Sequence, residues 1–386
     1  MNRKLLPTMV GLILAGGGVA VQADVSVFGH IDTSLDFTDQ DGGDDNQNFN
    51  CTTCSIGFKG SEDLGNGLKA IFLLDFQYNT TERNPQTASF QKAKEVTATT
   101  DGPSTTYTTT TKDGVGKATT NNGLTDRDQW LGLAGNFGQV RVGTISTVYK
   151  SHGALLDPFY RTALQGRDRG LQSRFHSFAG ENLQGRATNT ARYDSPDWNG
   201  LNVGAFYTLD SNEDDGYGGK EDNDPYGMGA SYANGGLLVF ADYMDNDGSD
   251  SDVGGDIWAW KAGGKYSLGM FEFTGQYEES STDEDSAAAV IDVDTKVWFL
   301  GASATLGNTM AYFAYGQGEF DFADGPSEDY TSWTLALMHH MSKQTLVYTG
   351  FNEVDCDKYV AGSVCDRVGG SGGEDDKFSI GMKHLF

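Results

Sequence analysis

The stretch VSVFGHIDTSLDF, residues 25–37, decides the fold class, because its side chains alternate in polarity. One face carries Val25, Val27, Ile31, Leu35 and Phe37. The other face carries Ser26, His30, Asp32, Ser34 and Asp36. A period of two places these sets on opposite faces of a β-strand. In a soluble sandwich the apolar face would pack into a core, whereas in a transmembrane barrel it would meet lipid and the polar face would line water.

The spacing of the turns separates these two folds. Seven short connections, mostly rich in Gly and Asn, lie at residues 64–67, 135–138, 196–200, 233–236, 267–269, 306–308 and 341–343. They alternate with eight long polar connections at residues 39–50, 79–125, 147–188, 210–224, 245–256, 280–293, 321–329 and 355–376. Short turns at one end and long loops at the other are typical of outer-membrane barrels. The chain is therefore predicted to be all-β, a 16-stranded antiparallel transmembrane β-barrel.

Two further patterns fit this fold. Aromatic residues recur toward the strand ends, among them Phe206, Tyr207, Tyr312, Phe313 and Tyr315, and are predicted to form girdles at the membrane interfaces. Residues 86–123 are rich in Thr and Asn and lack periodicity, so they are predicted to form a mobile loop, and their biased composition supports no argument about chemistry.

The first 23 residues read as a secretory signal peptide, with Arg3 and Lys4 before an apolar run and Ala23 at the cleavage site. A membrane helix is disfavoured because the apolar run is short and rich in glycine. A single domain, residues 24–386, remains, with 25 basic and 54 acidic residues and a net charge of −29. That charge argues against nucleic-acid partners. No cofactor is predicted, although acidic outer loops could bind divalent cations.

Four cysteines stand at positions 51, 54, 356 and 365. An exported chain is exposed to an oxidising compartment, so disulfides are expected. Local pairs, Cys51 with Cys54 and Cys356 with Cys365, are favoured. Cross-pairing stays open because the first and last loops of a closed barrel are neighbours. Metal or redox use is a third alternative, and the spacing of the second pair does not favour a zinc site.

Several segments resemble Gram-negative general porins. They are DVSVFGHID (24–32), GFKGSEDLGNGLKAIF (57–72), RDQWLGL (127–133), FGQVRVG (137–143), NTARYDSP (189–196) and the terminal Phe386. The resemblance covers the whole chain after residue 23, with specific motifs before residue 201 and a general pattern after it. It implies a homotrimer in contact with outer-membrane lipid and lipopolysaccharide. It also implies that the barrel-assembly machinery recognises Phe386.

The resemblance further implies that the long third loop, residues 147–188, folds into the barrel and narrows it. Position by position, the pore wall would comprise His30, Ser55, Arg127 and Arg186. The constriction loop would contribute Asp157, Arg161, Arg167, Arg169, Arg174 and Glu181. His30 and Ser55 stand where relatives tend to carry Lys or Arg, so the wall is less basic than usual and the loop more basic. Solvated or trimer-contact roles remain alternatives for the loop arginines.

The expected function is passive transport, because a pore performs no reaction and its selectivity comes from width and lining charge. We expect a general diffusion porin for ions and small hydrophilic solutes. The acidic outer loops predict a weak preference for cations. A substrate-specific channel and a barrel that displays loops as an adhesin or surface antigen are the alternatives. An enzyme is not expected: His339 and His340 are adjacent and point to opposite faces of a strand.

Overall fold

The structure of the protein, a computed structural model, describes residues 24–40, 45–81, 88–89, 93–101, 104–112, 117–118, 124–172, 186–209, 225–246, 256–285, 290–323, 327–357 and 373–386. The predicted signal peptide, residues 1–23, lies outside these ranges. Within them, no helix is both long enough and apolar enough to cross a membrane.

Sixteen antiparallel strands form the barrel. The first eight are β1 (Asp24–Gln40), β2 (Ser55–Gly65), β3 (Leu68–Gln77), β4 (Thr125–Gly135), β5 (Gly138–Ser146), β6 (Arg186–Asp194), β7 (Leu201–Thr208) and β8 (Tyr226–Asn234). The second eight are β9 (Leu237–Asn246), β10 (Asp256–Leu268), β11 (Phe271–Asp285), β12 (Val290–Leu306), β13 (Thr309–Phe322), β14 (Glu328–His340), β15 (Thr345–Cys356) and β16 (Gly373–Leu385). Each pairs with its neighbours in sequence, and β1 also pairs with β16. The predicted fold class is confirmed.

The pairing of β1 with β16 closes the barrel, in a register that runs from His30 opposite Leu385 to Gln40 opposite Asp375. Beyond β16, the backbone N–H of Phe386 donates to the carbonyl of Gly29, and the N–H of Gly29 donates to the carbonyl of Phe386, both at 3.0 Å. Closure leaves each strand with a partner on both sides, which a sheet in lipid requires because lipid offers no hydrogen bonds.

The two faces of the strands differ as the alternation predicts. On β1, the side chains of His30 and Asp32 are buried inside the barrel, whereas Val25 and Val27 are about half exposed on the outside. Outward exposure recurs along the barrel, for example 63% at Leu300 on β12. A polar interior and an apolar exterior are the arrangement of a barrel whose solvent outside is lipid.

The seven predicted short turns are confirmed as the links within successive hairpins. In the link between β2 and β3, Asn66 (φ 55°) and Gly67 (φ 78°) both adopt left-handed backbone conformations. Asn and Gly tolerate these conformations, which tight hairpin turns demand.

Two long connections contain strands that the sequence did not predict. Residues Asn46–Asn50 form a short strand that pairs with the end of β1. Within 86–123, Ala93–Asp101 pairs with Ser104–Lys112, and Ala88–Ser89 with Lys117–Ala118. The absence of periodicity in 86–123 gave no sign of these strands, although the many threonines there are β-branched and favour extended backbone.

Candidate functional site

The third long connection is described as far as residue 172 and contains two helical elements. Helix α1 (Val148–Ala154) begins after Thr147, whose Oγ1 accepts a hydrogen bond from the backbone N–H of Lys150 at 3.2 Å. Such a cap satisfies one of the N–H groups left unpaired at the start of a helix. A single 3-10 turn, Gly166–Asp168, follows. Residues 173–185 lie outside the described residues, and with them the candidates Arg174 and Glu181.

Apolar side chains attach this segment to the inward faces of distant strands. Five are buried: Leu156, Phe159, Ala163, Leu164 and Leu171. They cluster with inward side chains of β9 and β12–β15: Phe240, Phe299, Tyr312, Ala314, Ala336, Met338, Leu346 and Tyr348. Full burial of a side chain as large as Phe159 contributes about 1.5–3 kcal/mol. The cluster therefore holds the segment against one side of the barrel interior.

Two aromatic residues assigned to the girdles face this interior instead. Tyr312 is 5% exposed, and its ring centroid lies 5.6 Å from that of Phe159. Phe206 is 4% exposed, whereas the adjacent Tyr207 and Phe313 are nearly half exposed on the outside. The girdle prediction is wrong for Tyr312 and Phe206. Where aromatic residues lie on both faces of a strand, the sequence does not alternate in polarity and therefore does not show which face points outward.

Arg169 bonds to the wall rather than facing open water. Its Nε donates to Asn352 Oδ1 at 2.6 Å, and one terminal nitrogen lies 3.3 Å from Asp375 Oδ2. The Ser332 hydroxyl donates a hydrogen bond to the backbone carbonyl of Arg169. Because the guanidinium is buried and paired with a carboxylate, Arg169 ties the segment to β14, β15 and β16 and adds little net charge to the interior.

Asp157 organises the segment from within. Its Oδ1 accepts the backbone N–H of Phe159 and its Oδ2 that of Gly166, both at 2.8 Å. Burial raises the pKa of Asp157 to about 6, against the opposing effect of these two hydrogen bonds. The Asp157 carboxylate thus spans a turn of its own loop.

On the wall, the structure brings His30 and Ser55 together. The Ser55 hydroxyl lies 3.2 Å from His30 Nδ1, and both residues are fully buried. On the other side of the imidazole, Thr53 Oγ1 lies 3.5 Å from Nε2. Thr53 has a left-handed backbone (φ 54°) and lies between two paired cysteines.

Local pairing of Cys51 with Cys54 is confirmed: the two form a disulfide with their Cα atoms 5.8 Å apart. Cys54 is buried, and its Sγ accepts the backbone N–H of Asp32 at 3.3 Å. Cys356 also takes part in a disulfide. Cys365 lies outside the described residues.

The two wall arginines each hold a carboxylate. Arg127 Nε lies 3.0 Å from Asp75 Oδ2, and a terminal nitrogen donates to Gln77 Oε1 at 2.8 Å. Arg186 Nε lies 2.8 Å from Asp128 Oδ1. These pairs hold the guanidinium group of Arg127 on β4 and that of Arg186 at the start of β6.

Basic groups of the loop converge on this wall. Arg161 lies near enough to act electrostatically on His30, Arg127 and Lys383. The guanidinium groups of Arg161 and Arg167 lie 5.5 and 5.4 Å from the centroid of the Tyr160 ring. Arg161 has no ion-pair partner among the residues that the structure describes. Positive groups of the loop thus lie beside those of the wall on this side of the interior.

Lys150 joins the same group of charges from helix α1. Burial, followed by repulsion from Arg186 and Arg167, lowers the pKa of Lys150 to about 6. The Lys150 amine therefore takes up a proton, and with it a positive charge, as the pH falls through about 6.

The site residues not selected from the sequence are Lys383 and Tyr160. Lys383 Nζ donates to the backbone carbonyls of Tyr160 and Arg161, at 2.9 and 3.2 Å. The sequence carried a signal for Lys383, which occupies the polar face of the alternating last strand. It carried none for Tyr160, whose place depends on how the loop folds.

Comparison with known proteins agrees with this arrangement. Residues 8–359 match the family model of the Gram-negative porin family. The chain is 24% identical over 357 residues to outer membrane porin protein 32 of Delftia acidovorans, covering 90% of this chain and 88% of the relative. It is 27% identical over 240 residues to major outer membrane protein P.IB of Neisseria meningitidis, covering 60% of this chain and 56% of that protein.

Among solved structures, the anion-selective porin from Comamonas acidovorans is similar to this chain with a TM-score of 0.69 and 21% identity, covering 94% of this chain and 100% of that one. OmpF of Salmonella typhi is similar with a TM-score of 0.64 and 15% identity, over 94% and 97% of the two chains. The fold, the closed barrel and the family match agree. The chain belongs to the Gram-negative porin family and is a passive channel of the outer membrane, not an enzyme.

Proposed function

We propose that the protein is a general diffusion porin whose narrowest section lies between the loop 147–188 and the wall formed by His30, Ser55, Arg127 and Arg186, and that this section prefers anions. It would pass ions and small hydrophilic solutes without a cofactor. One observation carries the proposal: Arg161 on the loop lies within electrostatic range of Arg127 on β4 and Lys383 on β16. Charges at a narrow constriction act on passing ions with little screening by water and salt.

The position of the loop supports a constriction. The apolar cluster around Phe159 occupies the inner faces of β9 and β12–β15, and Arg169 fixes the far end of the segment to β14–β16. Together they leave the polar walls of β1–β6 as the surface along which solutes would pass. Wall and loop would then form opposite sides of one opening.

Preference for anions reverses the expectation from net charge. That expectation depended on acidic outer loops, many of whose carboxylates fall in ranges outside the described residues, such as 210–224 and 247–255. Charges at the mouth are screened beyond about 8–10 Å at physiological salt. The basic groups at the proposed constriction are nearer to the ion path. A similar barrel of known structure is named as anion-selective, which agrees with this sign.

A homotrimer is part of the proposal, since structures of similar porins include a trimer form. Outer-membrane lipid, lipopolysaccharide and the barrel-assembly machinery are proposed partners, the last through Phe386. A role as an adhesin would not need a conducting pore, and a substrate-specific channel would be blocked saturably by its substrate. Conductance with weak, unsaturated effects of added sugars and amino acids would separate the general porin from both.

The test of ion preference is the reversal potential of purified protein in a planar bilayer across a tenfold KCl gradient. Anion preference that weakens as total salt rises is expected. Cation preference at low salt would refute the proposed sign, and absence of channels from correctly folded protein would refute the porin function itself.

A further inference from the structure

A small niche opens between helix α1 and the wall of β10 and β11, and its central groups, Lys261 and Glu278, take no part in the proposed constriction. Its volume is about 30 Å³. The lining residues are Tyr149, Lys150, Gly153, Ala154, Tyr160, Arg167, Gln172, Lys261, Gln276 and Glu278. A space of this size holds one or two water molecules or a single small ion.

Lys261 is the unusual member of this niche. The residue is 4% exposed, yet it makes neither a hydrogen bond nor an ion pair among the described residues. The Lys261 ammonium lies over the face of the Tyr149 ring, with Nζ 3.9 Å from the centroid. A buried ammonium carries three donors, and leaving them unmatched is costly. The group therefore calls for an acceptor that the described part of the chain does not supply.

The neighbouring carboxylates do not fill this role. Glu278 Oε1 accepts the Tyr149 hydroxyl, and its Oε2 accepts the amide of Gln276 at 3.2 Å. Asp242 Oδ1 lies 2.6 Å from His152 Nδ1. Both are near enough to act electrostatically on Lys261, but neither lies within ion-pairing distance of its Nζ.

Further positive charge surrounds the opening of the niche. Lys150 and Arg167 line it, and Arg167 acts electrostatically on both Lys150 and Lys261. Lys150 in turn lies within electrostatic range of Arg127 and Arg186 on the wall. The niche therefore lies beside the basic groups of the loop and the wall.

Gly153 lies next to the ammonium of Lys261. A Cβ added at this position would lie 2.8 Å from Lys261 Nζ. Gly153 belongs to helix α1, in which Ala is the more favourable residue by about 1 kcal/mol. A glycine here therefore leaves room for the ammonium and whatever accompanies it.

We propose that this niche binds one small anion, of the size of chloride or of a single carboxylate group, with Lys261 as its direct partner and Gly153 providing the space. The anion supplies the missing acceptor for the buried ammonium. The niche is then a binding site for anions beside the constriction. The inference rests on the proposed function to the extent that anions reach the niche through the pore.

The test uses bromide, whose anomalous scattering identifies it in crystals of the trimer soaked in 0.1–0.3 M NaBr, a range chosen as on the order of physiological ionic strength. Wild type should show a bromide peak at contact distance from Lys261 Nζ. Lys261→Met should abolish the peak. Lys265→Met is the matched control, because Lys265 lies on the same face of β10 and pairs with Glu272 outside the niche; the peak should persist there.

Gly153→Ala separates space from charge. It keeps every charged group and suits the helix, so the barrel should fold, yet the added methyl group displaces the ammonium and should remove or sharply weaken the bromide peak. Water alone beside Lys261 in wild type, or bromide that persists in Lys261→Met, would overturn the inference. Either result, together with a reversal potential that shows anion preference, would contradict only the proposed anion site. A reversal potential that shows cation preference would contradict the proposed function.

Discussion

Lys383 on the last strand donates a hydrogen bond from Nζ to the backbone carbonyl of Tyr160 on the third long connection, at 2.9 Å. The two residues are 223 positions apart in sequence. The bond places a charge from the closing edge of the barrel beside Arg161. It shows that the basic side of the interior is assembled from both ends of the chain and from a loop between them.

Arg127→Ala should shift the reversal potential toward cations and enlarge the conductance. The substitution removes a positive charge and also leaves the Asp75 carboxylate without the guanidinium 3.0 Å away. The double variant Arg127→Ala/Asp75→Asn removes both charges, so most of the shift should be reversed while the larger conductance remains. An unchanged reversal potential in the single variant would mean that Arg127 does not line the ion path.

Arg169→Met should loosen the loop without a large change in ion preference. The guanidinium is paired with Asp375 inside the barrel, and removing one partner of a buried pair costs about 3–5 kcal/mol locally. Noisier single-channel currents and faster proteolysis within residues 155–172 are expected. Lys265→Met provides the control of equal charge change. Quiet channels with wild-type proteolysis would show that Arg169 does not anchor the loop.

Anion preference should increase as the pH falls from about 7.5 to 5. Burial and repulsion lower the pKa of Lys150 to about 6, so the ammonium gains charge through this window. Asp157, whose pKa burial raises to about 6, loses negative charge in the same window and acts in the same direction. Lys150→Met should therefore reduce the step, measured by reversal potentials across a fixed KCl gradient at each pH. A full step in that variant would contradict the role of Lys150.

The proposed homotrimer predicts a specific behaviour in detergent. Unboiled protein should migrate on a gel as a trimer and boiled protein as an unfolded monomer, because closed barrels resist detergent until heated. Glutaraldehyde cross-linking of the native protein should stop at three chains. A monomer under native conditions, with channel activity intact, would rule out the trimer.

The sequence by itself determined the architecture. Alternation such as that of Ile31 and Asp32 assigns outward and inward faces, because successive side chains of a strand point to opposite sides. The Gly- and Asn-containing turns, such as Asn66-Gly67, mark hairpins locally because only certain residues tolerate their backbone angles. These signals need no knowledge of distant parts of the chain.

The alternation of polarity failed to assign faces where a strand also packs against the loop. Strands that touch the loop are apolar on both faces, as at Tyr312 and Phe313, so the sequence cannot tell which aromatic meets lipid and which packs on Phe159. The faces are decided by a partner segment that lies about 150 residues away in sequence.

Only the tertiary structure decided which charges meet. Arg161 and Arg169 are both loop arginines close in sequence, yet one stacks on Tyr160 near the wall and the other is neutralised by Asp375. Nothing local distinguishes them. Electrostatic interactions depend on distance in space, and those distances are set when the barrel closes and the apolar cluster fixes the loop.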